Sequence, residues 1–459
     1  MRLRNTLLLL LFFISLGAYI YLFELRDGPQ EERDRLIRLK EEEVGALVLM
    51  YREREIRLEK GTSGRWRLTH PIETLADEST IRGVLSALKN SKIKRTVEIE
   101  PKREDLPSLG LHNRWLMFFI KKKNGSPLPL IFLGAKAPVG NSAYIKRSGE
   151  TSVLLTDASL RSSLDKRLLD FREKRILQLK DAPVNQLTLH RADGKLILVK
   201  KEKDWVIQQP GPYRADQAQV TGLLSTLENM RAREFLEESP AELGAYGLDD
   251  PRLQIFLALG REEPLSVLLG NRKEGKDEVY LALKPQGTLF TVHESVFEML
   301  DRDLDALRDK KILRIDRDKV VRLDIEGQEG TLVLLRGGDG AWKTEAAESR
   351  KAKTDAVRDY LESLDRLRAM GFADDEPADP EKFGLEDPSL KITLEGEERE
   401  AIATLLLGEP GPGEFYARRS GEPTVYTLEE SQYRRIKKKP ADFFEEEKAE
   451  PPPSGPTSP

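Results

Sequence analysis

The feature that most constrains this chain is a glycine-leucine pair that recurs at a fixed interval. Gly247-Leu248 lies 137 residues after Gly110-Leu111, and Gly384-Leu385 lies 137 residues after Gly247-Leu248. In the second and third occurrences a proline follows closely, as Pro251 and Pro388. A spacing this regular indicates that one unit of 137 residues is present in three copies.

Three further sets of residues keep the same register. They are the tryptophans Trp66, Trp205 and Trp342, the glycines of three Leu-Gly pairs, Gly134, Gly270 and Gly408, and the tyrosines Tyr144, Tyr280 and Tyr416. Such a period is too long for a solenoid unit of about 20–50 residues and matches the usual size of one domain. The chain is therefore predicted to contain tandem domains, the first repeat (41–175), the second repeat (176–311) and the third repeat (312–445).

Within each repeat the hydrophobic pattern predicts an α+β domain. Alternation with period two, as in residues 253–259, is typical of a strand with one buried face. Asp193-Gly194, between two such stretches, predicts a hairpin turn. Apolar residues with helical spacing, as in residues 81–88, predict an amphipathic helix. We expect an antiparallel sheet with one amphipathic helix packed on it and a second, shorter helix at the seam between repeats.

The residues around the helices predict where these begin and end. Asp77 and Asp216 precede the first two long helices and can cap their free N–H groups. Lys353 stands at this position in the third repeat, so we expect Thr354 or Asp355 to cap that helix. The shorter helix of the second repeat is predicted over residues 295–307. Two similar sequences, which begin at Arg172 and Arg308, follow the ends of the first and second repeats' short helices.

The beginning of the chain predicts a membrane anchor. Residues 5–23 carry no charge and would span about 28 Å as a helix at roughly 1.5 Å per residue, close to the hydrocarbon core of about 30 Å. Arg2 and Arg4 leave a cleaved signal peptide as the alternative, although its apolar region is usually about 7–15 residues. We expect an uncleaved single-pass anchor in the inner (cytoplasmic) membrane (1–25), a charged stalk (26–40) and an extracytoplasmic bulk.

The composition argues against several functional classes. Lys and Arg total 75 and Asp and Glu total 79, for a formal net charge of −4, whereas a nucleic-acid-binding protein needs a basic surface. There is no cysteine, which excludes disulfides and thiolate metal sites. The four histidines, His70, His112, His190 and His293, lack metal-ligand spacing. We expect no catalytic residues, no cofactor, no metal and no nucleic-acid partner. The tail, 446–459, is rich in Pro, Ser and Glu and is predicted to be disordered.

The repeated residues have a sufficient architectural interpretation. Glycine permits a positive φ angle, leucine fills a core, and proline makes the preceding residue extended. The tryptophans and tyrosines are expected to pack in cores or at sheet edges. Two alternatives remain. Asp249 and Asp250 could form a ligand loop, and an exposed row of tyrosines and tryptophans could bind a partner.

The combination of these motifs resembles a bacterial family. A Trp-containing strand, a proline soon after it (Pro71, Pro210), an Ala-Asp pair before the helix, and then the Gly-Leu, Leu-Gly and Tyr landmarks are similar to the family called domain of unknown function 4340. The likeness covers nearly all of residues 1–445; the third repeat departs from it at Ala347 and Lys353, and the first departs after Leu111. The resemblance implies a membrane-anchored protein without established activity, often encoded beside ABC-transporter permeases and gliding-type auxiliary subunits. It supplies no site residues.

Together these patterns favour a single-pass, membrane-anchored, extracytoplasmic scaffold or accessory protein. Its expected partners are the membrane and subunits of an ABC-type transporter. A second hypothesis is an extracytoplasmic module that binds a glycan or a peptide between repeats. A third is a carboxylate-dependent hydrolase, which requires two acids that converge in a concave pocket.

Overall fold

The described part of this computed structural model begins near the end of the predicted stalk. It comprises residue 15 and residues 34–445, apart from 99–101, 103, 112–114, 178, 180–182, 238–241, 261–263, 286 and 346–348. The predicted anchor, except Ser15, most of the stalk and the predicted tail therefore lie outside the described residues, as do His112 and Ala347. Within the described part, no helix has the combined length and apolar character needed to cross a bilayer.

The first repeat contains a nine-stranded antiparallel sheet, preceded by a 3-10 turn at Glu41–Glu43. Its elements are β1 (Val44–Tyr51), β2 (Glu55–Lys60), β3 (Trp66–His70), β4 (Thr74–Leu75), α1 (Glu78–Asn90), β5 (Arg95–Glu98), β6 (Leu116–Lys122), β7 (Ile131–Lys136), β8 (Ser142–Arg147), β9 (Val153–Asp157), α2 (Ser159–Leu164) and α3 (Leu168–Phe171). The strand order is β4-β3-β2-β1-β6-β7-β8-β9-β5.

The second repeat has the same arrangement, with a 3-10 turn at Gly244–Tyr246. Its elements are β10 (Val184–Arg191), β11 (Gly194–Lys201), β12 (Asp204–Gln209), β13 (Tyr213–Arg214), α4 (Gln217–Asn229), β14 (Glu234–Glu237), β15 (Leu253–Leu259), β16 (Leu265–Arg272), β17 (Glu278–Lys284), β18 (Leu289–His293), α5 (Glu294–Leu300) and α6 (Leu304–Leu307). The strand order is β13-β12-β11-β10-β15-β16-β17-β18-β14.

The third repeat has eight strands, in the order β21-β20-β19-β23-β24-β25-β26-β22. Its elements are β19 (Arg322–Gly327), β20 (Gly330–Arg336), β21 (Trp342–Thr344), α7 (Thr354–Asp365), β22 (Gly371–Asp374), β23 (Leu390–Glu395), β24 (Ala401–Gly408), β25 (Tyr416–Arg419), β26 (Val425–Thr427) and α8 (Glu430–Ile436). Four 3-10 turns lie at Arg317–Lys319, Pro380–Phe383, Glu397–Arg399 and Pro440–Phe443.

Each long helix connects the two opposite edges of its sheet. In the first repeat, α1 follows edge strand β4 and leads to β5, which pairs with β9 at the other edge. The predicted apolar face of α1 is buried, and it shares one core with strands β1, β2, β3 and β6. In the third repeat, α7 buries Val357, Tyr360, Leu361 and Leu364 in the corresponding core. The α+β interpretation and the three repeated units are thus confirmed.

Two details of the helix prediction are wrong. The predicted single helix over residues 295–307 is interrupted, because Asp303 begins a new helix by accepting a hydrogen bond from the Ala306 N–H at 2.8 Å. Helix α7 begins at Thr354 with Lys353 in the N-cap position, and the Lys353 side chain makes no cap hydrogen bond. Thr354 and Asp355 therefore lie inside the helix instead of capping it.

The chain forms two compact units. One consists of Met1–Asp181, Glu228–Asp250 and Gly270–Glu294, and the other of Ala182–Leu227, Pro251–Leu269 and Ser295–Pro459. The boundary between the units crosses the second repeat, so it does not follow the predicted domain limits at residues 175 and 311. Those limits stay predictions.

Candidate functional site

The two glycine landmarks of each repeat contact each other. A Cβ atom added at Gly408 would lie 1.8 Å from the carbonyl oxygen of Phe383, which precedes the Gly-Leu turn. The other repeats have the same geometry, with distances of 2.2 Å for Gly270 to Tyr246 and 2.4 Å for Gly134 to Leu109. Because no side chain fits in this space, the Leu-Gly pair keeps the strand flush against the turn.

The Gly-Leu turn delivers a leucine to the core. Gly110, Gly247 and Gly384 have φ angles of 67°, 68° and 64°, in the left-handed region that glycine tolerates best. The leucine after each of them is buried: Leu111, Leu248 and Leu385. Pro251 and Pro388 are half-buried and lie just before strands β15 and β23.

The tyrosine landmarks lie beside the same turn. In the second repeat, the rings of Tyr280 and Tyr246 are 4.9 Å apart, and in the third the rings of Tyr416 and Phe383 are 5.1 Å apart. Both pairs have the edge-to-face geometry that aromatic rings prefer. The three tyrosines, including Tyr144, are half-buried. Three sets of landmarks that are far apart in sequence therefore meet at one place in each of these two repeats.

The remaining sequence candidates do not form a common site. Trp66, Trp205 and Trp342 are 7%, 6% and 4% exposed, so their rings are inaccessible as a row. Asp249 and Asp250 are exposed. The described histidines lie on different strands, and the described residues include no group of three or more His, Asp or Glu side chains that could hold a metal ion.

Two charged contacts connect the first repeat to the second, and we call them the first joint. Arg231, just after α4, places Nη2 3.0 Å from Oδ2 of Asp77. Arg172, just after α3, places its guanidinium 3.6 Å from the centre of the Phe235 ring. Both contacts lie inside the first compact unit. The capping aspartate of one repeat therefore also receives an arginine from the next.

The second joint repeats this arrangement inside the second compact unit. Arg368, after α7, places Nη2 2.8 Å from Oδ2 of Asp216. Arg308, after α6, lies between two rings, 3.9 Å from the centre of Tyr213 and 3.5 Å from that of Phe372. It also donates to both carboxylate oxygens of Asp375, at 3.0 and 2.6 Å. Such a bidentate, stacked geometry is specific to arginine.

A cleft of about 580 Å³ lies at the second joint. One side is formed by Tyr213 and Arg214 of the second repeat, and the other by Phe372 and Tyr426 of the third. Arg314 of the connecting segment also lines it and forms an ion pair with Asp309. This is a concave, polar site between repeats, with the kind of position that the ligand-binding hypothesis requires.

Burial and nearby charge shift several groups in this cleft. Burial raises the pKa of Tyr426, and the carboxylate of Glu422 adds to this effect. Burial lowers the pKa of Arg314, with the nearby positive charge of Arg214 as the next cause. Burial by itself would raise the pKa of Asp375, but hydrogen bonds and charge from Arg308 hold it below its ordinary value.

Sequence reasoning identified only one side of each joint. Asp77 and Asp216 were predicted as helix caps, which they are, but their arginine partners were not predicted. Arg231 and Arg368 carry a signal that was available in the sequence, because each follows a long helix by two or three residues. The similar sequences that begin at Arg172 and Arg308 were the other signal.

The comparisons with known proteins give one result. A family described as domain of unknown function (DUF4340) matches residues 66–204, 205–382 and 352–455. Neither the curated proteins nor the solved structures contain a significant match. Three matched segments covering most of the chain agree with the three repeated sheets. The chain therefore belongs to the DUF4340 family.

Proposed function

We propose that this protein is a non-enzymatic, membrane-anchored scaffold or accessory protein that acts outside the cytoplasm and binds subunits of an ABC-type transporter. The observation that carries the proposal is the use of the recurring residues. Those of the Gly-Leu turns, the Leu-Gly pairs and the tyrosines pack against one another inside each repeat. What recurs in this chain is thus an architecture, and its surfaces remain free for partners.

The joints and the sequence of the N-terminal region support this proposal further. Each joint fixes a helix end of one repeat to an arginine of the next, which suits a protein that presents surfaces in a set orientation. The uncharged run at residues 5–23 is long enough for one membrane crossing. The family resemblance adds the genomic association with transporter permeases.

The test is affinity capture of the tagged full-length chain from native membranes after mild cross-linking. We expect the permease and the ATPase of one transporter to be enriched together. The control is the same chain without residues 1–25, which we expect to be released from the membrane and to lose this enrichment. Repeated capture without any transporter subunit would overturn the proposal.

A second candidate function, binding of a peptide or glycan, is favoured by the cleft at the second joint. Its volume of about 580 Å³ lies within the usual range of roughly 300–1,000 Å³ for ligand pockets. Aromatic rings and guanidinium groups line it together, as in many polar-ligand sites. The measurement is a thermal shift with panels of peptides and cell-wall glycan fragments. A ligand of the cleft would stabilise the wild type and the Arg434→Ala control but not Arg214→Ala, since Arg434 lies on an exposed face of α8.

A further inference from the structure

The joints allow corresponding positions in the three repeats to be identified from the backbone. Just before each long helix, one residue donates its N–H to the residue that ends the repeat's last short helix or turn, at 2.8 Å in every case. The pairs are Asp77 with Phe171, Asp216 with Leu307, and Lys353 with Phe443. Lys353 thus occupies the outgoing position that an aspartate occupies in each of the two joints.

The incoming position is defined in the same way. After each long helix, one residue forms an isolated antiparallel bridge with the segment that enters the repeat. These bridges are Lys92 with Arg35, Arg231 with Arg175, and Arg368 with Lys311. Lys92 therefore occupies, in the first repeat, the position from which Arg231 and Arg368 reach back to an aspartate.

The stacked contact of the joints has equivalents as well. Phe444 follows Phe443 and so takes the place of Arg172 and Arg308, and in the third repeat it is covered by Arg350, whose guanidinium lies 4.4 Å from the ring centre. On the incoming side, Thr96 of β5 pairs with β9 at the position where Phe235 and Phe372 pair with β18 and β26.

These replacements make the outer faces of the array incompatible with each other. If the third repeat of one chain approached the first repeat of another as neighbours do at the joints, Lys353 would meet Lys92. Two positive charges would replace an ion pair, and Phe444 beside Thr96 would replace a guanidinium on a ring. Like charges at close range oppose association.

We propose that Lys353 and Lys92 keep the two outer faces of this repeat array from docking on each other, so that copies of the chain do not join head to tail. A head-to-tail contact that does not close into a ring generates an open filament, and the end repeats of repeat proteins commonly differ from the inner ones for this reason. The partner excluded is thus a second copy of this chain. The proposal is independent of the proposed transporter association.

The test is a charge-swap cycle on the full-length chain, expressed in one cell with two different tags. Co-capture of the two tags after solubilisation reports self-association. The variants are Lys353→Asp, Lys92→Asp, and both changes on each copy. Both positions are exposed, and an aspartate at position 353 would restore a helix cap, so folding is not threatened.

Each single variant creates an opposite-charge pair, and we expect co-capture to rise about tenfold over the wild type. The double variant faces Asp with Asp, and we expect it to return to the wild-type level. Lys195→Asp, an equal charge change on exposed β11, is the matched control and should leave co-capture unchanged. The proposal is overturned if the single variants stay at the wild-type level, if the double variant stays high, or if the wild type already self-associates as strongly.

Discussion

Asp77 uses its two carboxylate oxygens for two different repeats. Oδ1 accepts a hydrogen bond from the Thr80 N–H at 2.7 Å and caps helix α1, while Oδ2 lies 3.0 Å from Nη2 of Arg231 in the second repeat. Asp216 has the same double role with the Gln219 N–H and Arg368. The start of a helix and the connection to the next repeat therefore depend on one side chain.

Replacement of Asp77 should separate these two roles. Asp77→Ala removes both the cap and the ion pair, and we expect a loss of roughly 1–2 kcal/mol in the free energy of unfolding. Asp77→Asn keeps a capping oxygen and should cost less than about 1 kcal/mol, because Arg231 is half-exposed and such pairs contribute little. Urea unfolding of both variants provides the measurement.

Asp303→Ala is the matched control for this comparison, because Asp303 caps α6 through the Ala306 N–H without a partner arginine of the next repeat. Its cost should equal the cap alone, about 1 kcal/mol. Equal costs for Asp77→Asn and Asp77→Ala would contradict the assignment of the cap as the larger contribution.

Gly408 and Gly222 should respond to alanine with opposite signs. At Gly408 the new methyl group would lie 1.8 Å from the Phe383 oxygen, so strand and turn must separate, and we expect a loss of about 1–3 kcal/mol. At Gly222, in helix α4, nothing lies within 4 Å. Alanine there should stabilise by roughly 0.5–1 kcal/mol through its helix propensity.

Thermal unfolding of the two glycine variants beside the wild type checks this prediction. A Gly408→Ala variant as stable as the wild type would mean that the turn and the Leu-Gly pair are not in tight contact. That result would remove the main support for the architectural role of both landmarks.

Arg308 should not tolerate lysine, although the charge is kept. The side chain is 5% exposed, forms two hydrogen bonds with Asp375 and lies between two rings. Lysine cannot reproduce the planar, bidentate contact, so we expect Arg308→Lys to cost roughly 1–3 kcal/mol. A double-mutant cycle with Asp375→Asn should give a coupling energy of about 0.5–3 kcal/mol. Additive effects would show that the two side chains do not interact.

The second joint should weaken in acid. The pKa of Asp375 is held below its ordinary value by Arg308, so its contribution to stability is complete above the unfolded-state pKa of about 3.9. That contribution is lost as the pH falls through the lower, folded-state pKa. We expect hydrogen exchange of β22 to accelerate below about pH 4 relative to the intrinsic rate. In Asp375→Asn this acid-dependent part should be smaller, and an unchanged pH profile would contradict the prediction.

Much of each repeat was predictable because it rests on local patterns. Alternation over residues 253–259 predicted β15, and Asp193-Gly194 lies at the turn between β10 and β11. The helical face at residues 81–88 is buried as expected. These features depend on which residues face the core, and that is written in the order of the side chains.

The crossing of each sheet by its long helix was not predictable in the same way. The short strand after the helix, such as β14, carries little periodicity in four residues. Its place beside β18 is decided by packing at the far edge of the sheet. The break between α5 and α6 was likewise missed, because the apolar spacing continues across a position where Asp303 begins a new helix.

The sequence by itself determined the number of repeats, their α+β character and the long helices, because periodicity and spacing are properties of the chain. Only the tertiary structure decided that the Gly-Leu and Leu-Gly landmarks touch, and that Asp77 and Asp216 meet arginines more than 150 residues away. Partners at such separation are selected by the close approach of folded surfaces, and no local pattern of side chains encodes that distance.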